Sequence, residues 1–119
     1  SIPSTVKTVG IGAFENCTEL KDISLPTTLT EINYYTFSGC TSLTTLTLHS
    51  KLTAINNYAF AGCKSLTEIH CKNSNPPLIG ENTFRDVNRI GCKIFVPSKR
   101  AKKSYSTALY WNEFTIYIE

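Results

Sequence analysis

The sequence lacks a long apolar run, carries little charge, and opens without a signal peptide. No stretch approaches the ~20 consecutive apolar residues that cross a bilayer, so no transmembrane segment is predicted. Hydrophobic residues make up 41% of the chain and charged residues 18%. This balance is typical of a folded chain and excludes a disordered, highly charged one. Because Ser1 falls inside a repeat pattern, we expect earlier repeats to precede it.

Common catalytic and metal motifs are also missing from the sequence. It contains no Gly-rich phosphate loop, no HExxH, no GxSxG and no CxxC pair. His70 and Cys71 are neighbours, but adjacent strand residues point to opposite faces and cannot act together as base and nucleophile. We therefore predict no enzyme activity, no cofactor and no metal.

Positive charge is concentrated in one short stretch of the chain. The net charge is +3, and Lys99, Arg100, Lys102 and Lys103 fall within five residues. Without these four residues the chain has 8 positive and 9 negative side chains. A nucleic-acid surface along the whole molecule is therefore not predicted.

Three similar strings recur at a fixed interval: AFENC at 13–17, TFSGC at 36–40 and AFAGC at 59–63. They define repeats of 23 residues at 2–24, 25–47 and 48–70, and an altered fourth copy spans 71–97 with Phe84 one residue late. A catalytic cysteine is needed once, so repetition indicates architecture. Apolar residues recur in register around Val6, Val9, Phe14, Cys17, Leu20 and Ile23 and their equivalents in the next copies.

This periodicity predicts a solenoid, because one short coil cannot bury its own apolar face and neighbouring coils must share a core. Leu43-x-x-Leu46-x-Leu48 has the spacing of a strand whose leucines point inwards. A second extended piece, Leu52-x-x-Ile55, follows it. The Ala-Phe-x-x-Cys segment is expected to be a short helical turn or an irregular bend on the other side.

The repeated pattern I-x-x-x-A-F-x-x-C-x-x-L-x-x-I-x-L-P resembles the BspA-type leucine-rich repeat of bacterial surface proteins, common in Bacteroidetes. The resemblance covers residues 2–97 and implies a leucine-rich-repeat solenoid with short parallel strands. It also implies an extracellular or outer-surface location on a bacterium. The function it implies is a non-enzymatic, cell-surface or secreted protein-interaction module that adheres to host matrix or cell-surface proteins. Two alternatives remain: a structural spacer that presents another domain, and a carbohydrate-associated accessory module.

Residues 98–119 differ from the repeats and are predicted to form a C-terminal cap. Ser98 can cap a helix, in which Tyr105 and Leu109 would share one face. Apolar and polar residues alternate at the C-terminal end of the sequence, which predicts a last strand. The fragment V-P-S…Y…W-N-E-F is similar to the segment that closes many BspA-like chains. We therefore expect the end of the parent protein here, and a monomer is favoured.

The five cysteines are interpreted mainly as core residues. Cys17, Cys40 and Cys63 would stack as small apolar side chains, one in each repeat. Cys71 occupies the inward position that Leu25 and Leu48 hold in earlier copies. A Cys71–Cys92 disulfide stays open, and the pattern does not place Cys92.

Two surfaces are candidates for binding a partner. The first is the outward face of the strands, formed by Asp22, Ser24, Thr45, Thr47, His49, Glu68, His70, Lys72, Lys93 and Phe95. The second is the basic patch, formed by Lys99, Arg100, Lys102 and Lys103, which either binds an acidic surface or is the solvated side of a capping helix. His49, His70 and Glu68 could together hold a weakly bound metal, although exposed strand positions commonly carry assorted polar residues.

Overall fold

Each repeat places two short strands on opposite sides of a shared apolar core. The computed structural model describes residues 3–119, so the first residue of the repeat predicted at 2–24 lies outside the described part. The elements in chain order are β1 (Asp22–Ser24), β2 (Glu31–Ile32), β3 (Thr45–Leu48), β4 (Ala54–Ile55), β5 (Glu68–Cys71), β6 (Leu78–Ile79), β7 (Lys93–Val96), helix α1 (Lys99–Thr107), a 3-10 turn (Trp111–Glu113) and β8 (Thr115–Ile118).

The strands form two parallel sheets. One sheet has five strands in the order β1-β3-β5-β7-β8, and the other has three in the order β2-β4-β6. Alternate side chains of the larger sheet form an inward row of Ile23, Leu46, Ile69, Ile94 and Ile116. This arrangement confirms the predicted leucine-rich-repeat fold with short parallel strands. No helix within residues 3–119 has the length and apolar character that a membrane span requires.

The Ala-Phe-x-x-Cys segments are turns, which is the irregular alternative of the prediction. Their phenylalanines form a continuous column through the core. Ring centroids are separated by 5.4 Å between Phe14 and Phe37, 5.3 Å between Phe37 and Phe60, and 5.5 Å between Phe60 and Phe84. The interplanar angles do not exceed 11°. One large ring in each repeat therefore packs on the equivalent ring of the next.

The cysteines lie beside this phenylalanine column and contact its backbone. The Cys40 thiol donates a hydrogen bond to the Phe14 carbonyl at 3.3 Å, and the Cys63 thiol donates to the Phe37 carbonyl at the same distance. A small apolar side chain with a weak donor fits this position because it fills the core and pairs a backbone oxygen of the preceding repeat. The predicted structural interpretation of these thiols agrees with this geometry.

Backbone hydrogen bonds join the turns of successive repeats. The Phe14 amide donates to the Thr36 carbonyl at 2.9 Å, and the Phe37 amide donates to the Ala59 carbonyl at 2.8 Å. The residue before each core thiol adopts a left-handed conformation, with φ of 61° at Asn16 and 76° at Gly39. These bonds satisfy turn groups that would otherwise be buried without a partner.

The fourth repeat keeps the core positions although its sequence has drifted. Phe84 extends the phenylalanine column, and Val87, three residues later, occupies the position that cysteine holds in the earlier copies. Cys92, which the sequence pattern could not place, is fully buried two residues before Ile94. The extra residues of this copy project outwards, since Ile90 is 90% exposed.

A helix and a final strand follow Pro97, as the sequence pattern predicts. The Ser98 hydroxyl caps α1 by accepting a hydrogen bond from the Ala101 amide at 3.1 Å. The predicted shared face of Tyr105 and Leu109 is wrong. The helix ends at Thr107, so Tyr105 is buried whereas Leu109 is 68% exposed.

Two aromatic residues after α1 cover the last ring of the phenylalanine column. Ring centroids of Trp111 and Phe114 lie 5.7 and 5.6 Å from that of Phe84. The Trp111 indole N–H donates to the Pro77 carbonyl at 2.8 Å, and the Tyr105 hydroxyl donates to the Asn73 carbonyl at 2.7 Å. These bonds attach the tail to the fourth repeat. The predicted division of the chain at residue 97 and the count of four repeats stay predictions.

Candidate functional site

The outward face of the five-stranded sheet has two rows of side chains. Strand register aligns Asp22, Thr45, Glu68, Lys93 and Thr115 in the first row. It aligns Ser24, Thr47, His70, Phe95 and Tyr117 in the second. All predicted outward residues that lie within strands are on this face, because side chains alternate along each strand.

The two ends of the outward face differ in chemistry. The end formed by β1 and β3 carries short polar side chains, namely Asp22, Ser24, Thr45 and Thr47. The end formed by β5, β7 and β8 carries aromatic rings and longer charged side chains. Aromatic side chains supply more contact area than hydroxyls, so the second end is better suited to bind a partner.

Three rings stack across the second end of the outward face. The His70 and Phe95 centroids lie 4.8 Å apart with an interplanar angle of 12°, and the Phe95 and Tyr117 centroids lie 5.7 Å apart. The Lys93 ammonium lies 5.7 Å from the centroid of the Tyr117 ring. Neighbouring rings restrict one another, so they present an ordered aromatic surface.

Charged groups surround this ring stack. The His70 Nε2 atom lies 2.9 Å from a Glu68 carboxylate oxygen, and its Nδ1 atom lies 2.5 Å from a Glu119 carboxylate oxygen. The other Glu119 oxygen accepts a hydrogen bond from the Lys72 ammonium at 2.7 Å. These contacts link the end of β5 to the residue after β8.

The contacts shift two pKa values in opposite directions. Partial burial lowers the pKa of His70, but its hydrogen bonds with Glu119 and Glu68 outweigh burial and raise the pKa above its ordinary value. Hydrogen bonds from Lys72 and then His70 lower the pKa of Glu119. The imidazolium form of His70 is therefore favoured between the two carboxylates.

His49 departs from the prediction that it belongs to the open outward face. It follows the last residue of β3, and its Nδ1 atom accepts a hydrogen bond from the Lys51 amide at 3.1 Å. Its Nε2 atom is buried and has no hydrogen-bond partner among residues 3–119. The suggested metal set of His49, His70 and Glu68 is not supported, since no metal-holding group of His, Cys, Asp or Glu occurs in that described range.

The basic patch lies on α1, and all four of its side chains are exposed. None of them forms a salt bridge with another residue of the described chain. Lys99 and Arg100 occupy the first turn of the helix, where positive charge opposes the helix dipole. Their charge does not stabilise the helix, which leaves the patch available to an acidic surface or to solvent.

The four buried thiols, those of Cys40, Cys63, Cys71 and Cys92, are unsuited to nucleophilic chemistry. All five cysteines, each within the described residues, are free, so the Cys71–Cys92 disulfide left open by the sequence is not formed. Burial raises the pKa of Cys63 and that of Cys92 to about 12, and it also raises the pKa of Cys71. Since the thiolate is the reactive form, these side chains act as core residues.

Comparison with known families gives a direct match. The family model described as a BspA-type leucine-rich repeat region (6 copies) matches residues 1–112. The chain belongs to the BspA-type leucine-rich repeat family. This finding confirms the resemblance seen in the sequence.

A solved relative of this BspA-type chain is a leucine-rich cell surface protein from Faecalibacterium prausnitzii A2-165. The two are 29% identical with a TM-score of 0.70, and the match covers 95% of this chain and 27% of the solved chain. No curated protein is significantly similar to this chain. The family and the solved relative indicate a surface or extracellular location and a role in protein interaction or at the cell surface.

Sequence reasoning missed two residues of the outward face in this BspA-type chain. Tyr117 extends the ring stack and Glu119 binds His70 and Lys72, but both were assigned only to the tail. The signal was present in the alternating pattern of 115–118. Pairing that predicted strand with β7 would have placed Tyr117 beside Phe95.

Proposed function

We propose that this chain is a non-enzymatic adhesion module whose outward face binds a host matrix or cell-surface protein. The observation that carries the proposal is the stack of His70, Phe95 and Tyr117, flanked by charged side chains. Aromatic residues at the centre of a contact with charges around it are typical of protein-binding surfaces.

The chemistry of the remaining residues is consistent with binding. The buried thiols have raised pKa values, and the His70 nitrogens already contact two carboxylates. These thiols and His70 are therefore poorly placed to act as nucleophile and base on a substrate. We include the tail in this proposal as a cap, since Trp111 and Phe114 cover the last ring of the phenylalanine column.

The size of the outward face limits what it can bind alone. Five strands spaced ~4.8 Å apart, each showing about 10 Å of its length, give roughly 240 Å² in plan. A standard interface needs ~800 Å² from each partner. A protein bound here must also contact neighbouring loops, so the ring stack would be the anchor of a larger contact.

The test is direct binding of the chain to immobilised matrix glycoproteins and to host cells. The double variant Phe95→Ala/Tyr117→Ala removes two rings from one end of the outward face. The matched control, Thr45→Ala/Thr47→Ala, truncates two side chains at the other end of the same sheet. We expect saturable binding that falls at least tenfold in the first variant and changes little in the control.

Other outcomes point to the alternatives. Binding that survives the loss of both rings but disappears at high salt or in a Lys99→Gln/Arg100→Gln/Lys102→Gln/Lys103→Gln variant would assign the contact to the basic patch. Absence of binding to every protein and cell surface would favour the spacer. We also propose that the chain is monomeric and derives from a secreted or surface-attached bacterial protein, of a Bacteroidetes species as the resemblance implies.

A further inference from the structure

A second column of aromatic side chains lies in the turns, separate from the outward face. Tyr35 and Tyr58 occupy equivalent positions in successive repeats, and their ring centroids lie 4.9 Å apart with an interplanar angle of 2°. Tyr35 is 40% exposed. Gly12 holds the same position in the preceding repeat, so the column stops there.

The backbone at this position disfavours tyrosine. The φ angles are 67° at Gly12, 59° at Tyr35 and 64° at Tyr58, all in the left-handed region. Glycine adopts this conformation without strain, whereas a bulky side chain does so at a cost. Strained residues of this kind cluster at functional sites, and one stack of partly exposed rings gives limited compensation for two of them.

The interruption of the column at Gly12 leaves one face of the Tyr35 ring without a stacked ring, and we call the space over Gly12 beside that face the slot. One face of the Tyr35 ring packs on Tyr58, so its other face is turned to the repeat that contains Gly12. A hydrogen bond of 3.0 Å from the Gly12 amide to the Tyr34 carbonyl holds the turn that contains Gly12 next to the turn that contains Tyr35. A side chain added at Gly12 would meet only Glu15, whose nearest carboxylate oxygen would lie 3.0 Å from the new Cβ.

The chemistry of the slot selects its occupant. The wall is an aromatic face, and the polar side chain beside Gly12 is the Glu15 carboxylate, which only accepts hydrogen bonds. A pyranose ring presents C–H groups on its face and hydroxyl donors at its edge, which match the aromatic wall and the Glu15 oxygen. A phenyl ring from a protein could also stack on Tyr35, but it would form no hydrogen bond with the Glu15 carboxylate, which is exposed and would keep its water.

We propose that the free face of Tyr35, together with Gly12 and Glu15, binds a pyranose ring of a glycan. The site is on the turns and not on the sheet, so it is independent of the binding function proposed for the outward face. It would give the chain a carbohydrate-binding activity in addition to contact with a protein.

The test uses four neutral methyl pyranosides, those of glucose, galactose, mannose and N-acetylglucosamine, as probes with the intact chain. Saturation-transfer NMR detects bound sugar protons, and shifts of the tyrosine ring signals locate the contact. We expect transfer to at least one sugar, with a Tyr35 ring shift. Its affinity should fall at least tenfold in Tyr35→Gly, which removes the wall, and in Gly12→Tyr, which fills the slot.

The control variant is Tyr34→Ala, which removes a neighbouring exposed ring outside the column and should leave binding unchanged. Thermal unfolding of each variant separates binding from folding. Tyr35→Gly relieves a strained backbone, so its Tm should be equal to or above that of the native chain.

Three results would overturn the proposal. One is the absence of transfer to all four sugars with the native chain. Another is transfer that persists in Tyr35→Gly, or a marked fall in the Tm of that variant, which would make the column structural. The last is self-association of the native chain, measured by sedimentation, that increases with concentration and is abolished in Tyr35→Gly. A ring from a second copy of the chain would then occupy the slot.

Discussion

The first three repeats and the C-terminal end of the molecule share one apolar core but differ in the residues that pack in it and in those that face solvent. In the repeats, each copy adds an equivalent phenylalanine to the column and a thiol beside it, and β1 and β3 present mainly short hydroxyl side chains to solvent. At the C-terminal end, Val87 replaces the thiol, and Trp111 and Phe114 cover the column. The rings and ion pairs of the outward face extend from β5, the strand of the third repeat, to β8 and the residue after it.

The difference separates residues that build the solenoid from residues that are free to bind. A position constrained by stacking must repeat, because each coil packs on a copy of itself. A position that breaks the repeat is not needed for stacking and can take another role. The tyrosine column fits the same rule, since it exists in only two repeats and is interrupted at Gly12.

The largest expected effect comes from breaking the phenylalanine column in its middle. Phe60 is fully buried with a stacked ring on each side, so Phe60→Ala should lower the free energy of unfolding by about 3–5 kcal/mol. Phe14 is only partly buried and stacks on one side, so Phe14→Ala should cost no more than about 2 kcal/mol. Urea unfolding followed by circular dichroism gives both values.

The comparison of these two variants is internally controlled, because the substitution is the same at equivalent positions. Equal losses would contradict the idea that stability is concentrated in the middle of the stack. Urea unfolding curves of the two variants that differ in slope as well as in midpoint would indicate that part of the stack unfolds separately.

A smaller effect is expected at the covered end of the column. Trp111→Phe keeps an aromatic ring but removes the donor to the Pro77 carbonyl. Leaving that buried oxygen without a partner should cost about 1–3 kcal/mol. The control is Tyr117→Phe, an exposed aromatic substitution that should change the free energy of unfolding little. If both variants unfold like the native chain, the attachment of the tail to the fourth repeat does not contribute to stability.

The regular part of the fold could be predicted from the sequence because each position is sampled three times. The inward alternation of Leu46 and Leu48, the second extended piece at Ile55 and the burial of Cys63 all follow from a period of 23 residues. The resemblance to BspA-type repeats could be recognised for the same reason, since the motif occurs three times. Helix capping by Ser98 was also predictable, since it depends on local chemistry.

The irregular part could not be predicted from the pattern. Val87 and Cys92 lie after an insertion that shifts the register, so counting from Cys63 does not reach them. His49 was placed outwards by alternation, but β3 ends at Leu48 and the side chain turns back to the Lys51 amide. Glu119 reaches His70 only because β8 pairs with β7, a contact between distant parts of the chain.

The smallest expected effect is a pH dependence that comes from the contact between His70 on β5 and Glu119 after β8, and not from the stacked apolar core. The pKa of His70 is raised above its ordinary value of 6.5, so its contribution to stability is complete below pH 6.5 and is lost as pH rises through the folded pKa. The pKa of Glu119 is lowered from 4.5, so its contribution is complete above pH 4.5 and is lost as pH falls through the folded pKa.

Both contributions are therefore complete only between pH 4.5 and 6.5. Glu119 is partly exposed, and Glu68 and Lys72 also face this contact, so the change should amount to only a few tenths of a kcal/mol and should shrink at high salt. Unfolding measured from pH 3 to 9 should show this shallow maximum in the native chain. In Glu119→Gln the acid side of the maximum should flatten, because the carboxylate that loses its charge there is absent. A native profile that the variant reproduces would mean that the contact between Glu119 and His70 does not help to hold β8 against the sheet.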